Sequence, residues 1–179
     1  MKIINLLIKP ASSSCNLNCT YCFYNDVADN RSVKNYGIMT DETLENMVKK
    51  AFEEVTYQVN FAFQGGEPTV AGLEYFKKFH KLVEKYNKEN VGVTFALQTN
   101  GTLLDKNWTV LFRKYNYLLG ISLDGNKEIH NSFRVDKQGK ETFSKVYKTL
   151  RLLKKEKVEF NILACLLYTS PSPRDPKTS

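Results

Sequence analysis

The sequence predicts an α/β fold with a parallel sheet. Five short apolar runs alternate with amphipathic helical stripes along the chain, and such alternation implies right-handed crossovers between parallel strands. The runs are nearly continuous in apolar residues, which suits a sheet covered on both faces. At 179 residues the chain is long enough for one domain with a real core and too short for two ordinary ones.

Ile3–Ile8 is the first strand. Asn5 interrupts its apolar run and no small-residue cleavage site follows, so it does not read as a signal peptide. Thr40 is placed to cap a helix, with Thr43 where a capping box would carry Glu. Asp41 and Glu42 suit the positive end of that helix, and Leu44, Met47, Val48, Ala51, Phe52 and Val55 recur at helical spacing. Residues 59–63 form a second strand that stops at Gly65-Gly66-Glu67-Pro68. Leu73, Phe76, Phe79, His80, Val83 and Tyr86 make the next helical stripe. A third strand over 91–97 ends in Gln98-Thr99-Asn100-Gly101, and Asp105 opens a helix through Tyr115. A fourth strand over 117–123 ends at Asp124-Gly125. A helix over 142–155 and a fifth strand over 158–164 complete the pattern. If the strands lie side by side, the cysteine loop after the first strand and loops 65–68, 99–101 and 122–125 all face one rim. Parallel barrels gather their chemistry at that carboxyl end.

Hydrophobic residues make up 42% of the chain and charged residues 25%, a globular balance. The formal charge is +7, from 26 basic and 19 acidic residues. Lysines interleave with glutamates along 77–88, as on a solvated helix face, and no basic cluster is interleaved with exposed aromatics. No nucleic-acid partner is therefore expected. No run approaches membrane-spanning length, so no membrane partner is expected either.

Three of the four cysteines fall within eight residues, as Cys15-Asn-Leu-Asn-Cys19-Thr-Tyr-Cys22. This is not a disulfide framework; clustered thiols in an apparently unexported chain favour metal ligation and a reducing cytoplasm. Three thiolates at this spacing can hold three corners of a four-iron cluster and leave the fourth iron open, although iron–sulfur clusters normally take four cysteines. An open position is the mark of a catalytic metal site. The rival is a structural zinc site, which wants four ligands; no fourth Cys or His lies close by, since His80 falls on a helix stripe and His130 in a distant loop. Both histidines read as structural. Gly65-Gly66 is a tight turn, or a place where bare backbone approaches a ligand and carbonyls accept from an ammonium. Ser122 and Asp124 read as strand-end turn residues. Arg134 is a solvated charge, or a planar fork that clamps a carboxylate.

Cys15-x3-Cys19-x2-Cys22, with Tyr21 just before the last cysteine, resembles the signature of the radical S-adenosylmethionine enzymes. Gly65-Gly66-Glu67-Pro68 resembles their second motif. Longer blocks look like the anaerobic sulfatase-maturating enzymes: Lys9-Pro-Ala-Ser-Ser-Ser-Cys15, Cys22-Phe-Tyr-Asn, Tyr36-Gly-Ile-Met, Phe61-Ala-Phe-Gln-Gly-Gly-Glu-Pro68, Leu97-Gln-Thr-Asn-Gly-Thr102 and Lys127-Glu-Ile-His-Asn131. The resemblance implies a partial (β/α)6 barrel truncated after about the fifth strand. It implies a 4Fe–4S cluster on Cys15, Cys19 and Cys22, with S-adenosylmethionine bound to the open iron. Tyr21 would lie near the adenine, Gly66 near the amino group, and Ser122 and Arg134 near the carboxylate and ribose end; Tyr24 and Gln64 would touch substrate. The implied reaction is reductive cleavage to a deoxyadenosyl radical, which takes a hydrogen from a cysteine or serine of a sulfatase polypeptide on the way to Cα-formylglycine. The cofactor carries the radical chemistry while the protein orients and shields it. A reducing partner such as flavodoxin or ferredoxin is implied.

Family members continue into a sixth strand, a cysteine-rich domain with two further clusters, and an aspartate general base, none of which is present here. The expected organisation is a partial barrel over 1–164 and a non-native or disordered tail over 165–179. Residues 165–175 read like the translation of a transposon-type sequencing adapter, so Cys165 is not expected to be a ligand. A barrel cut at that point exposes strand edges, and the chain alone is expected to be unstable and inactive on peptide. Three other functions stay open: a thioether-forming radical maturase using the same first-half loops, a zinc-binding module without catalysis, and a tRNA-modifying radical enzyme, which the dispersed charge disfavours.

Overall fold

The structure, a computed structural model, describes residues 1–166. Five strands, β1 (Ile3–Ile8), β2 (Gln58–Phe63), β3 (Gly92–Thr99), β4 (Leu118–Ser122) and β5 (Phe160–Leu163), form one sheet in chain order. Every neighbouring pair is parallel. The helices α2 (Asp41–Glu54), α3 (Leu73–Tyr86), α4 (Lys106–Lys114) and α6 (Phe143–Lys155) are the crossovers the sequence predicts. Two seven-residue helices, α1 (Phe23–Asp29) and α5 (Lys127–Phe133), were not anticipated. His130 therefore sits on a helix, not in a loop. The expected tail falls outside the described residues from position 167 onward.

Local chemistry sets the helix starts. The Thr40 hydroxyl oxygen accepts the Thr43 N–H at 3.2 Å, and its hydrogen goes to Thr43 Oγ1 at 2.9 Å. Asp105 accepts the N–H groups of Asn107 and Trp108 at 2.9 and 3.2 Å. Each cap contributes about 1 kcal/mol.

The sheet corrects one expectation: among the described residues its two faces are unlike. Val59, Phe61 and Phe63 alternate inward and are at most 1% exposed, and Ile8, Phe63, Leu97 and Leu119 line up across four strands. They meet Leu44, Val48, Phe76, Phe79, Phe112 and Val146 from the helices. Phe61 and Phe63 each stand edge-on to Phe79 at 5.0 Å, and burying each ring is worth about 1.5–3 kcal/mol. The opposite face carries a polar row. Asn60 donates to Asn5 at 2.7 Å and accepts from Thr94 at 2.6 Å. Alternation of this kind belongs to a sheet with one helix-covered side, as on the inside of an open barrel wall.

His80 is structural, as its place on the α3 stripe suggests. It stacks on Tyr115 with ring centroids 3.5 Å apart, and its Nε2 lies 2.9 Å from the Tyr117 hydroxyl. Burial, with Lys114 adding to it, pushes its pKa from 6.5 down to about 3. The unfolded chain therefore takes up this proton first as pH falls. The contribution is complete above pH 6.5 and is lost between 6.5 and about 3, at up to about 1.4 kcal/mol per pH unit. His80→Phe should lower stability near neutrality, because Tyr117 loses its partner, yet flatten the fall of the thermal midpoint between about pH 7 and about pH 5. Equal slopes for both proteins would refute this account.

Candidate functional site

All four loops expected at one rim do meet there, around a cavity of about 350 Å³. Its wall includes Cys15, Cys19 and Cys22, together with Tyr21, Tyr24, Gln64, Gly66, Ser122 and Arg134. Every sequence-selected residue thus reaches the same space. Cys165 lines it too.

One buried carboxylate ties three loops together. Glu67 is 1% exposed. Its backbone N–H donates to Ser14 O at 2.8 Å, anchoring the cysteine loop. Its side chain accepts from Thr69 N–H at 3.0 Å, Thr69 hydroxyl at 2.6 Å, Thr99 hydroxyl at 2.7 Å and Asn100 N–H at 2.7 Å. Burial pushes its pKa up against those donors. The approach is close enough to require glycine: Gly66 sits at φ +52°, and a Cβ there would lie 2.3 Å from Ser14 O.

The thiols are half-buried. Cys15 Sγ accepts from Leu17 N–H at 3.4 Å and faces Asn100 Nδ2 at 3.9 Å. Burial pushes the Cys15 thiol up, with the Leu17 N–H opposing. Burial pushes Cys19 up to about 11, with Arg134 opposing. Metal ligation would displace these protons. Among the described residues no three His, Cys, Asp or Glu side chains close on a single-ion site. Cys15, Cys19 and Cys22 all line the cavity, and Cys19 lies near enough to feel the charge of both other thiols.

The fourth loop holds a second buried knot. Arg134 is a buried side chain, not the solvated charge of the default reading, and its fork grips the chain's own Asp124: Nε to Oδ2 at 2.7 Å and Nη2 to Oδ1 at 3.2 Å. The Tyr21 hydroxyl also donates to Asp124 Oδ2, and the guanidinium lies 5.3 Å over the Tyr21 ring. Burial alone would raise Asp124; Arg134, Tyr21 and the amide of residue 165 outweigh it and hold the carboxyl below its usual range. Ser122 accepts from Gln98 Nε2 at 3.0 Å. Gly120 permits this, since a Cβ there would strike Gln98 Oε1 at 2.0 Å. Gln64 donates to the Tyr24 hydroxyl at 3.0 Å, and Lys9 lies over the Tyr24 ring.

Sequence reasoning missed Gln98 and Asn100 as wall residues, and Glu67 and Asp124 as clamps. Their position at or just beyond the carboxyl ends of strands was the available signal.

The family model for the radical SAM superfamily matches residues 10–171. A cysteine-type anaerobic sulfatase-maturating enzyme of Clostridium perfringens is 56% identical over 163 residues, which is 91% of this chain and 44% of that protein. A serine-type anaerobic sulfatase-maturating enzyme of Bacteroides thetaiotaomicron is 38% identical over 164 residues, 91% of this chain and 39% of that protein. A solved structure of native anSMEcpe with bound AdoMet and Cp18Cys peptide superposes with a TM-score of 0.85 at 53% identity, over 91% of this chain and 43% of that one. The chain thus spans less than half the length of these three relatives.

Proposed function

This chain belongs to the radical SAM superfamily, and from that premise we propose that it carries the cofactor site of an anaerobic sulfatase-maturating oxidoreductase that converts a sulfatase cysteine to Cα-formylglycine in the cytoplasm. The observation that carries the reading is the meeting of Cys15, Cys19, Cys22, Gly66, Ser122 and Arg134 on one cavity, in a chain 56% identical to a cysteine-type maturase. The serine-type relative is only 38% identical, against 56% for the cysteine-type one, which favours cysteine as the substrate residue.

When bound, a 4Fe–4S cluster and S-adenosylmethionine supply hydrogen-atom abstraction, driven by an electron from a flavodoxin- or ferredoxin-like donor. Cys15, Cys19 and Cys22 would hold the cluster. Tyr21 would lie near the adenine, and the backbone at Gly66 near the amino group. Ser122 and Arg134 would lie near the carboxylate and ribose end. Tyr24 and Gln64, joined by their hydrogen bond, present a fixed polar edge to the substrate peptide. Residues 1–164 form the cofactor-binding unit.

Anoxic reconstitution tests this. The expected result is a brown protein whose four-iron spectrum shifts when S-adenosylmethionine is added. Formylglycine should then form faster from a cysteine peptide than from its serine counterpart. A colourless protein holding one zinc ion overturns the reading.

A further inference from the structure

Asp124 is 2% exposed, and its acceptor capacity is filled. Oδ2 takes Arg134 Nε–H and the Tyr21 hydroxyl; Oδ1 takes Arg134 Nη2–H and the backbone N–H of Cys165, the last at 2.9 Å. A carboxylate offers about four lone-pair sites, so Asp124 has none to spare for a ligand or a proton in transit. Arg134, by contrast, spends only two of its five N–H groups on Asp124. Its Nη1 edge has no protein partner among the described residues, and the side chain lines the cavity.

The knot is braced from behind. Thr142 gives its one hydroxyl hydrogen to Arg134 O at 2.6 Å. At His130 Nε2, 3.0 Å away, it can therefore only accept. That fixes His130 as the neutral Nε2–H tautomer and leaves Nδ1 a lone pair, which faces the backbone N–H of Asp124 at 3.4 Å. One chain of single-direction hydrogen bonds thus runs from the Arg134 carbonyl through Thr142 and His130 to the Asp124 backbone. It fixes the main chain at both ends of the ion pair. His130 is itself wedged against Phe143, ring centroids 5.7 Å apart.

Resting on the cavity being an S-adenosylmethionine site, we propose that Asp124 is a positioning residue: braced by His130 and Thr142, it aims the free edge of Arg134 at the carboxylate of the ligand. The role is orientation, because Asp124 cannot touch the ligand while its four donors are in place. It is specific to the amino-acid end of the ligand, because Arg134 is the group it turns.

The test compares S-adenosylmethionine with methylthioadenosine, which keeps the adenosine and lacks the amino-acid arm. Binding is measured by equilibrium dialysis on the full chain reconstituted with iron and sulfide. In Asp124→Asn the single amide oxygen best serves the Oδ2 position, which has two donors, and the new NH2 group then opposes Arg134 Nη2. Tyr21 stays held while the guanidinium is pushed away. S-adenosylmethionine should bind roughly ten- to hundredfold more weakly, as expected when a charged hydrogen bond is lost, with methylthioadenosine changed less than about twofold. Thr142→Val loosens the same brace from outside the cavity and should show the same selectivity at roughly two- to fivefold; it carries the test if the first variant does not fold. Parallel loss of both ligands, or loss of neither, overturns the proposal. A parent protein that binds no S-adenosylmethionine removes the cavity assignment itself, and that failure appears in the unsubstituted arm alone.

Discussion

Replacing any one of Cys15, Cys19 or Cys22 with alanine abolishes iron–sulfur assembly, while Cys165→Ala leaves it intact. A three-thiolate cubane has no spare protein ligand, so a missing corner leaves two irons uncovered. Because a metal site of this kind forms together with its deprotonated ligands, iron retained after reconstitution should fall below about one-tenth of the unsubstituted level. The Cys165 control is the sharper half of the experiment. That thiol lines the same cavity, so a closed four-thiolate site is the direct rival to a site with one open iron. Four irons per chain in Cys165→Ala, read by iron analysis and visible absorbance, supports the open position. Loss of the cluster in that variant would mean a fourth thiolate closes it, and there would be no place for S-adenosylmethionine on iron.

Glu67→Gln should destabilise the fold more than any other single-atom change at the rim. The carboxylate takes four donors from two loops, and its own N–H anchors a third. An amide keeps one acceptor. If that oxygen stays with Thr69 and Thr99, the new NH2 group points at the Asn100 N–H, and two donors face each other in a buried place. An unsatisfied buried group costs about 1–3 kcal/mol, and here both partners of the pair are affected. A loss of about 2–3 kcal/mol corresponds to roughly 5–10 °C in thermal midpoint for a domain of this size. An unchanged midpoint would show that Glu67 is not the clamp its geometry describes.

Much of this was legible in the chain. The five strands, four crossover helices and the Thr40 and Asp105 caps follow from periodicity and side-chain oxygens placed before helical stripes. The convergence of four loops followed from strand order alone. What was not legible has physical reasons. α1 and α5 are seven residues each, too short for a hydrophobic period to declare itself, and they are held by tertiary contacts. The polar face of the sheet was hidden because Ala62 and Ala96 made the strands look uniformly apolar, although Asn5, Asn60 and Thr94 mark the alternation. Arg134 could be read as a clamp, but its carboxylate partner lies ten residues earlier in the sequence. Only the fold of α5 returns the chain so that the two groups meet.

The contact at position 165 comes from a peptide amide, not from a side chain. Any of nineteen residue types can supply that hydrogen, and proline alone cannot. The contact therefore depends on the path of the main chain and is nearly blind to what the side chain is.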